Sequence, residues 1–494
     1  MPEPRPRPFL RRAVRVAAIS AAGLTLAAFV RTASAGWKTP PVPAGPATTV
    51  ELPTPPPPPS AAVPTIPEDL VRPGATVTLA RIVDIALQNN PLTRASYLQA
   101  LSAAAQLGSK RAPYYPSVDL TASETRTNLL SSNPGASGNF DVYGPGVTLT
   151  YLLLDMGGRA ANVDDARANL IAADWSHNAT IQNVILGVET TYVSYLDAKA
   201  QLEAARASAK EAQIALDSAN VRHDAGVATI AEVLQAKTAF SQAELALQTF
   251  DGQVLALRGS LATAMGLPAN TPYDVGTLPV EVPLERGTDV VERLIATART
   301  QRPDLAAARA LVDKADAHVR AVRSDGLPNL SLSATADRTY FKPAVTASPR
   351  SSWSATVLLT FPLFTGFANT YDLRQAKADA AVSRAQADTL DQEIVLEVWT
   401  SYYAFKTATQ LVKTSRDLLA SAEQSERVAL GRYKEGVGTI LDLLTAQAAL
   451  ANARAQEIQA RAGWFVATAQ LAHDTGTAPP LNQTVTVVKE GGTP

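Results

Sequence analysis

Two stretches of this chain carry the same pattern 210 residues apart (432 − 222). Arg432-Tyr-Lys-Glu-Gly436-Val437-Gly438-Thr439-Ile-Leu-Asp442 repeats, in register, Arg222-His-Asp-Ala-Gly226-Val227-Ala-Thr229-Ile-Ala-Glu232. A glycine just past a helical run suits a left-handed helix stop. A threonine three residues later, followed after three more by an acid, makes a capping box that satisfies the first free amides of a new helix. Each stretch therefore predicts helix, tight reversal, helix: the tip of a long α-hairpin.

The rest of the chain duplicates around these tips. Pro91 matches Pro303 and Pro116 matches Pro328 at an offset of 212; Tyr192 matches Tyr402 and Gly266 matches Gly476 at 210. A nearly constant offset over that length means one structural unit used twice. The expected boundaries are a first unit over 76–285, with a β-hairpin at 117–154 and a helical hairpin at 157–266. The second unit covers 286–476, with a β-hairpin at 329–364 and a helical hairpin at 367–474.

Each unit opens with a short helix, about 78–89 or 289–300, followed by a second at about 92–112 or 304–325, with Pro91 or Pro303 in its first turn. Then the period changes to two. Val118, Leu120 and Ala122 alternate with polar residues, as do Leu330, Leu332 and Ala334, and returning strands carry Val147, Leu149, Tyr151, Leu153 and Val357, Leu359, Phe361, Leu363. The connecting loops at 131–139 and 342–351 are rich in Gly, Pro and Ser. Beyond the strands proline vanishes: none occurs between Pro145 and Pro268 or between Pro362 and Pro479, in a chain that has 34. Good helix formers fill those runs, and Leu373, Ala380, Ala387 and Ile394 fall on a heptad seam. The outgoing helix of ~65 residues is roughly 100 Å long, whereas the return helix, at ~55 Å, needs the preceding short helix stacked on its end to match it.

Residues 1–35 read as an export signal: a basic head (Arg5, Arg7, Arg11, Arg12, Arg15), an apolar core over 16–30, and Ala33-Ser34-Ala35 for cleavage. About 15 apolar residues fall short of the ~20 needed to span a bilayer. Residues 36–75 form a proline-rich linker or strap, and 477–494 a tail with a short extended run at Thr484–Val488. The absence of cysteine excludes disulfides and a lipid-modified N-terminal cysteine, and the near-zero net charge gives no basic patch for nucleic acid. The four histidines, His177, His223, His318 and His473, read as solvated helix positions rather than metal ligands. No catalytic grouping and no cofactor or metal site is legible, so no enzyme is expected.

Four strands with one apolar face, bordered by Tyr114, Tyr115, Tyr143, Tyr340, Phe341 and Trp353, suit part of an outer-membrane barrel. Four strands cannot close, and open edges are not tolerated in lipid, so several protomers must share one barrel. Here the sequence resembles the TolC-like outer-membrane efflux protein family, in its duplicated units, its Arg-x-x-x-Gly-x-x-Thr-Ile tips and Leu359-Thr-Phe-Pro-Leu-Phe-Thr-Gly366 at a strand-to-helix junction.

The resemblance implies a mainly α fold with a β-barrel part: a homotrimer whose twelve-stranded outer-membrane barrel continues into a twelve-helix periplasmic barrel. It implies passive conduction of substrates from a periplasmic adaptor and an inner-membrane pump of RND, ABC or MFS type, in an efflux or type I secretion system. The expected location is the outer membrane of a Gram-negative-type cell, in contact with its lipid. At the periplasmic gate, Asp442 matches a family acid; the second such acid is Thr445 here, and the family arginine after the tip glycine is Gly438. Tyr433 matches a tyrosine that ties neighbouring hairpins, and Glu232 an acid it contacts. Adaptor docking would involve Gly226, Val227, Gly436, Val437, Gly438 and Thr439. The alternatives are a periplasmic coiled-coil adaptor or a structural protein without a channel; the first needs only one helical hairpin, the second no period-two strands.

Overall fold

The computed structural model describes residues 76–129, 138–283, 290–342 and 349–477. The export signal, the proline-rich stretch, the centres of both strand-connecting loops and the tail with its Thr484–Val488 run lie outside the described residues.

The described chain runs twice through the same order of elements. The first pass is β1 (Thr76–Val77), α1 (Leu79–Asn89), α2 (Pro91–Lys110), β2 (Ser117–Leu129), β3 (Gly138–Leu154), α3 (Gly158–Asp224) and α4 (Ile230–Ala264). The second is β4 (Asp274–Val275), α5 (Val291–Gln301), α6 (Pro303–Asp325), β5 (Asn329–Lys342), β6 (Arg350–Thr360), α7 (Ala368–Lys434) and α8 (Ile440–Asp474). The two long helices have 67 residues each and the two return helices 35 each, so the duplication holds to the residue.

Length complementarity is realised by end-to-end stacking. Asn90 Nδ2 donates to the Ala264 carbonyl at 3.3 Å, where α2 begins beneath the end of α4. At the second junction Arg302, 7% exposed, forks onto Asp304, bonds Glu397 and reaches the Asp474 carbonyl. Proline takes the first turn of α2 and α6, where its missing N–H costs nothing. Long α3 and α7 thus alternate with the stacked pairs α2/α4 and α6/α8: α3 packs on α2, α4, α6 and α8, and α7 on α6 and α8. The buried stripe of α7 includes Ala376, Ala380, Ile394, Val398, Phe405 and Val412, with Leu373 and Ala387 half-buried on the heptad seam. No helix among the described residues is long and apolar enough to cross a membrane.

The largest core cluster lies at the level of the first junction. Ile82, Ile85 and Ala86 of α1, Val184 and Val188 of α3, and Leu261 and Met265 at the end of α4 meet there, beside Val77 and Val275 of the parallel β1–β4 pair. From β4 the chain crosses the helices: Lys199 holds Asp274 and the Val275 carbonyl, Arg461 the Pro279 carbonyl, and Arg416 the Val280 carbonyl.

The four long strands form one antiparallel sheet in the order β2-β3-β5-β6, and they run to 13, 17, 14 and 11 residues rather than the roughly ten expected. Cross-strand partners share a face. Leu120, Val147, Ala336 and Trp353 form one row, and Val118, Leu149, Ala334 and Ala355 the next. The opposite face carries Asp119, Thr148, Thr335 and Ser354, then Thr121, Gly146, Asp337 and Ser352. Over these rows one face is apolar and the other is polar and rich in hydroxyls; farther along, the apolar side carries Glu124, Arg338 and the Arg126–Asp141 pair. Tyr143 and Tyr340 stack at 5.5 Å on the apolar side, but Phe341 pairs with Val142 on the other, because alternation turns each residue away from its neighbour. Phe341 therefore leaves the expected aromatic border.

Two of the four histidines also depart from expectation. His177 is buried against Ser96 at 2.7 Å, and burial pushes its ring below its ordinary pKa; His473 bridges Asp474 and Asn183. Solvation does not describe either of them.

Two glycines with equal backbone demands separate conformation from crowding. Gly226 and Gly266 take φ +76 and +73, but a Cβ at Gly226 meets open space whereas one at Gly266 would lie 2.6 Å from the Asn89 carbonyl oxygen. Gly266→Ala should lower the midpoint of helix unfolding, followed by circular dichroism in detergent, by several degrees more than Gly226→Ala. Equal shifts would mean that the stacked junction does not hold the helices together.

Candidate functional site

The helical tips are built by local rules. In the first, Gly226 at φ +76 lets its N–H reach the His223 carbonyl (2.8 Å) and the Val227 N–H reach the Arg222 carbonyl (2.9 Å). In the second, Gly436 at φ +74 does the same onto Tyr433 (3.2 Å) and Arg432 (2.9 Å). This paired closure satisfies carbonyls that a helix end leaves free. Both next helices then start from a full capping box, Thr229 with Glu232 and Thr439 with Asp442. Nothing occupies the space a Cβ would take at Gly226 or Gly436, so their left-handed backbone alone requires glycine, at about 1–2 kcal/mol for another residue. Gly438 is different: a Cβ there would lie 3.0 Å from that of Arg432, and its N–H also bonds the Arg432 carbonyl.

The expected gate residues divide between several places. Asp442, Thr445 and Gly438 line one open groove between α7 and α8, together with Arg432. The Asp442 carboxylate is exposed and accepts from the Thr439 N–H at 3.2 Å. Its bonds to the Thr439 side chain and then the Thr439 N–H, with Arg432 nearby, hold its carboxyl below the usual range. The Thr445 hydroxyl turns back to the Leu441 carbonyl at 2.7 Å. Glu232 sits on the other hairpin, with its carboxylate on the Thr229 N–H at 3.3 Å. Tyr433 is 2% exposed, and its hydroxyl has no hydrogen-bond partner among the described residues. Within the chain Glu232 is taken up by its capping box with Thr229 and shares no hydrogen bond with Tyr433.

What ties the two tips is a residue not singled out from sequence. Arg222 lays its guanidinium 4.9 Å from the Tyr433 ring centre and donates to the Tyr433 carbonyl at 3.2 Å. Tyr433 packs with Ala215, Ile440 and Leu443. The signal was present, since Arg opens both copies of the tip pattern, but which neighbour it would meet depends on tertiary packing. Beyond the turns, Val227 (65%) and Val437 (68%) are left exposed at the ends of the hairpins.

Paired α-hairpins set on a sheet with an apolar and a hydroxyl-rich face define the class: an outer-membrane channel protein with a long helical extension. The sequence matches the family "Outer membrane efflux protein" over 82–267 and 294–477, one match for each unit, and the chain belongs to that family. Protein CyaE of Bordetella pertussis is 30% identical over 417 residues, covering 82% of this chain and 86% of that protein. The toluene efflux pump outer membrane protein TtgC of Pseudomonas putida is 24% identical, covering 76% and 78%. The fold is that of the outer membrane protein VceC from Vibrio cholerae, with a TM-score of 0.72, 21% identity and coverage of 81% and 96%. The protein is an outer-membrane efflux channel, which sets aside the adaptor and the purely structural alternatives.

Because the carboxyl of Asp442 is held low in the folded tip, the cap is intact above the ordinary carboxylate value near ~4 and weakens as pH falls through the lowered value. Amide protection of residues 439–442, corrected for intrinsic exchange, should fall on acidification below about pH 4 and lose this dependence in Asp442→Asn. A pH response retained in the variant would place the titrating group elsewhere.

Proposed function

We propose that the chain is one third of a passive exit duct, in which three protomers close a twelve-stranded barrel and a twelve-helix tunnel. A single comparison within the molecule carries this reading. Ile230 and Ile440 occupy the same place in the two units, yet Ile440 is 2% exposed and Ile230 58%. Ile440 opens α8, which sits between α3 and α7; Ile230 opens α4, which has α3 on one side and no α7 on the other. The same imbalance runs along the long helices, with 20 buried positions in α3 and 10 in α7. Each protomer offers an open α2/α4 edge and an open α7 edge, and a neighbouring copy supplies what each lacks.

The sheet dimensions support the membrane part. From Leu330 to Tyr340 this face runs ten residues, or ~33 Å along the strand, apolar except for Arg338, which lies over the Tyr340 ring. Tilted at 35–45°, this covers ~23–27 Å of height, close to the ≈25 Å apolar band of outer-membrane barrels. Val118, Leu120, Val357 and Leu359 are all exposed in the isolated protomer. The hydroxyl face then lines the lumen.

In this reading the chain divides as the sequence suggests: export signal 1–35, strap 36–75, units 76–285 and 286–476, and tail 477–494. The tips lie at the periplasmic end, where Val227 and Val437 offer apolar ends to a periplasmic adaptor. An inner-membrane pump of RND, ABC or MFS type supplies the energy. Asp442 contributes one carboxylate per protomer around the entrance. Without the family's arginine at Gly438 and its second acid at Thr445, the closed state is held by Arg222 and Tyr433 within protomers.

Mass measurement in detergent should give three protomers; a stable monomer would overturn the assembly. In planar bilayers, Asp442→Asn should weaken block by divalent and trivalent cations, and unchanged block in an intact trimer would leave Asp442 a helix cap only. Gly436→Val combined with Gly226→Val should preserve the trimer while reducing adaptor cross-linking and export. Wild-type cross-linking in that double variant would remove the tips from the docking surface.

A further inference from the structure

The two strand pairs carry an arginine at the same place and pair it differently. Arg126 of β2 and Arg338 of β5 correspond at the offset of Pro116 and Pro328 (338 − 126 = 212). Arg126 stands opposite Asp141, with its guanidinium 3.7 Å from that carboxylate, and Glu124 lies on the same face one step along the strand. Arg338 stands opposite Ser351, which replaces Asp141, and Ala336 replaces Glu124 (351 − 141 = 210; 336 − 124 = 212). The second unit has kept the cation and lost both acids. Arg338 is exposed, and among the described residues no acid lies within ion-pair distance of it; its guanidinium carbon sits 5.9 Å from the centre of the Tyr340 ring.

The lost acids leave room. A groove of about 440 Å³ crosses the apolar face between the row Val147, Ala336, Trp353 and the neighbouring row Pro145, Arg338, Ser351. Both residues that replace the acids line it, and Trp353, 81% exposed, forms its wall. The residues between the two rows alternate to the other face, so the floor is backbone.

The position of the groove says what meets it. All long helices join one end of the sheet and both strand-connecting loops the other, and Arg338 lies four residues from Lys342, the last of β5, at the loop end. In the barrel reading that end stands in the outer leaflet and the apolar face meets lipid. An arginine on the lipid face is destabilising at the midplane and least so near the interface. The Tyr340 contact draws the Arg338 guanidinium towards the loop end, so its stem lies in the apolar band and its head at the edge. There the anion within reach is a lipid phosphate, which the guanidinium fork matches.

We propose that Arg338 and the groove beside it bind a phosphorylated, acylated lipid of the outer leaflet, with the phosphate on the guanidinium and the start of an acyl chain between Ala336 and Trp353. The proposal rests on the barrel reading above. A free phosphate makes no use of the apolar wall, and an unphosphorylated lipid leaves the cation unpaired. The first unit has no such site, because Asp141 already takes Arg126.

The test uses the full chain in a non-ionic detergent, with bis-phosphorylated lipid A as the probe and native mass spectrometry as the readout. The wild type should retain up to one lipid A per protomer, and the phosphate-free form of the same lipid several-fold less. Arg338→Gln should lower retention of the phosphorylated lipid several-fold, and Arg338→Lys should keep most of it. Ser351→Asp, which rebuilds the ion pair that the first unit already accommodates, should remove the preference for phosphate while the particle keeps its mass. Equal retention of the two lipids by the wild type, or unchanged retention in both Arg338→Gln and Ser351→Asp, would overturn the site. Displacement of the lipid by millimolar inorganic phosphate would make it a free-anion site and overturn the lipid. A monomeric mass in detergent would instead take away the barrel reading, and the lipid-facing groove with it.

Discussion

Backbone amides and carbonyls on the free edges of β2 and β6 are the constraint from which the assembly follows. In water an unpaired edge is tolerated; in hydrocarbon each unsatisfied group costs several kcal/mol. The sheet already presents an apolar face and a hydroxyl-walled face, so it cannot escape by folding into a soluble core. Four strands are too few to curl shut. In the proposed assembly other copies of the chain satisfy these edges, and closure gives a lipid-facing exterior and a polar lumen at once.

The helical part obeys the same geometry through different interactions. Stacking the start of α2 on the end of α4, and of α6 on the end of α8, makes each pair comparable in reach to α3 and α7, so four columns accompany four strands. The two junctions reach this by different chemistry. At the first, Gly266 lets the backbone approach Asn89, and apolar side chains from α1, α3 and α4 fill the level around it. At the second, Arg302 and Asp474 are buried, and bonds from His473, Gln470 and Ser401 outweigh the effect of burial and hold the Asp474 carboxyl low. A duplicated backbone has kept its shape while the side chains at its two equivalent joints diverged.

What could be read from sequence was what local rules and repetition determine. Gly226, Gly436, Thr229, Thr439, Glu232 and Asp442 form the expected turns and caps because each acts on backbone groups within a few residues. The stacked helices were legible because rise per residue converts a length mismatch into a required neighbour. Contacts between distant elements were not legible. Tyr433 meets Arg222 instead of Glu232, since the capping box engages the acid first, and His177 is buried by the packing of α2 on α3. Phe341 was misplaced because aromatic content marks a strand end but only register assigns its face.

The edge strands offer the most direct test. Amide hydrogen exchange on the protein in outer-membrane vesicles should show β2 and β6 protected to the same degree as the central β3 and β5. If β2 and β6 exchange at the rate of solvent-exposed edges while β3 and β5 stay protected, the edges are not closed by neighbouring copies, and the shared barrel is wrong.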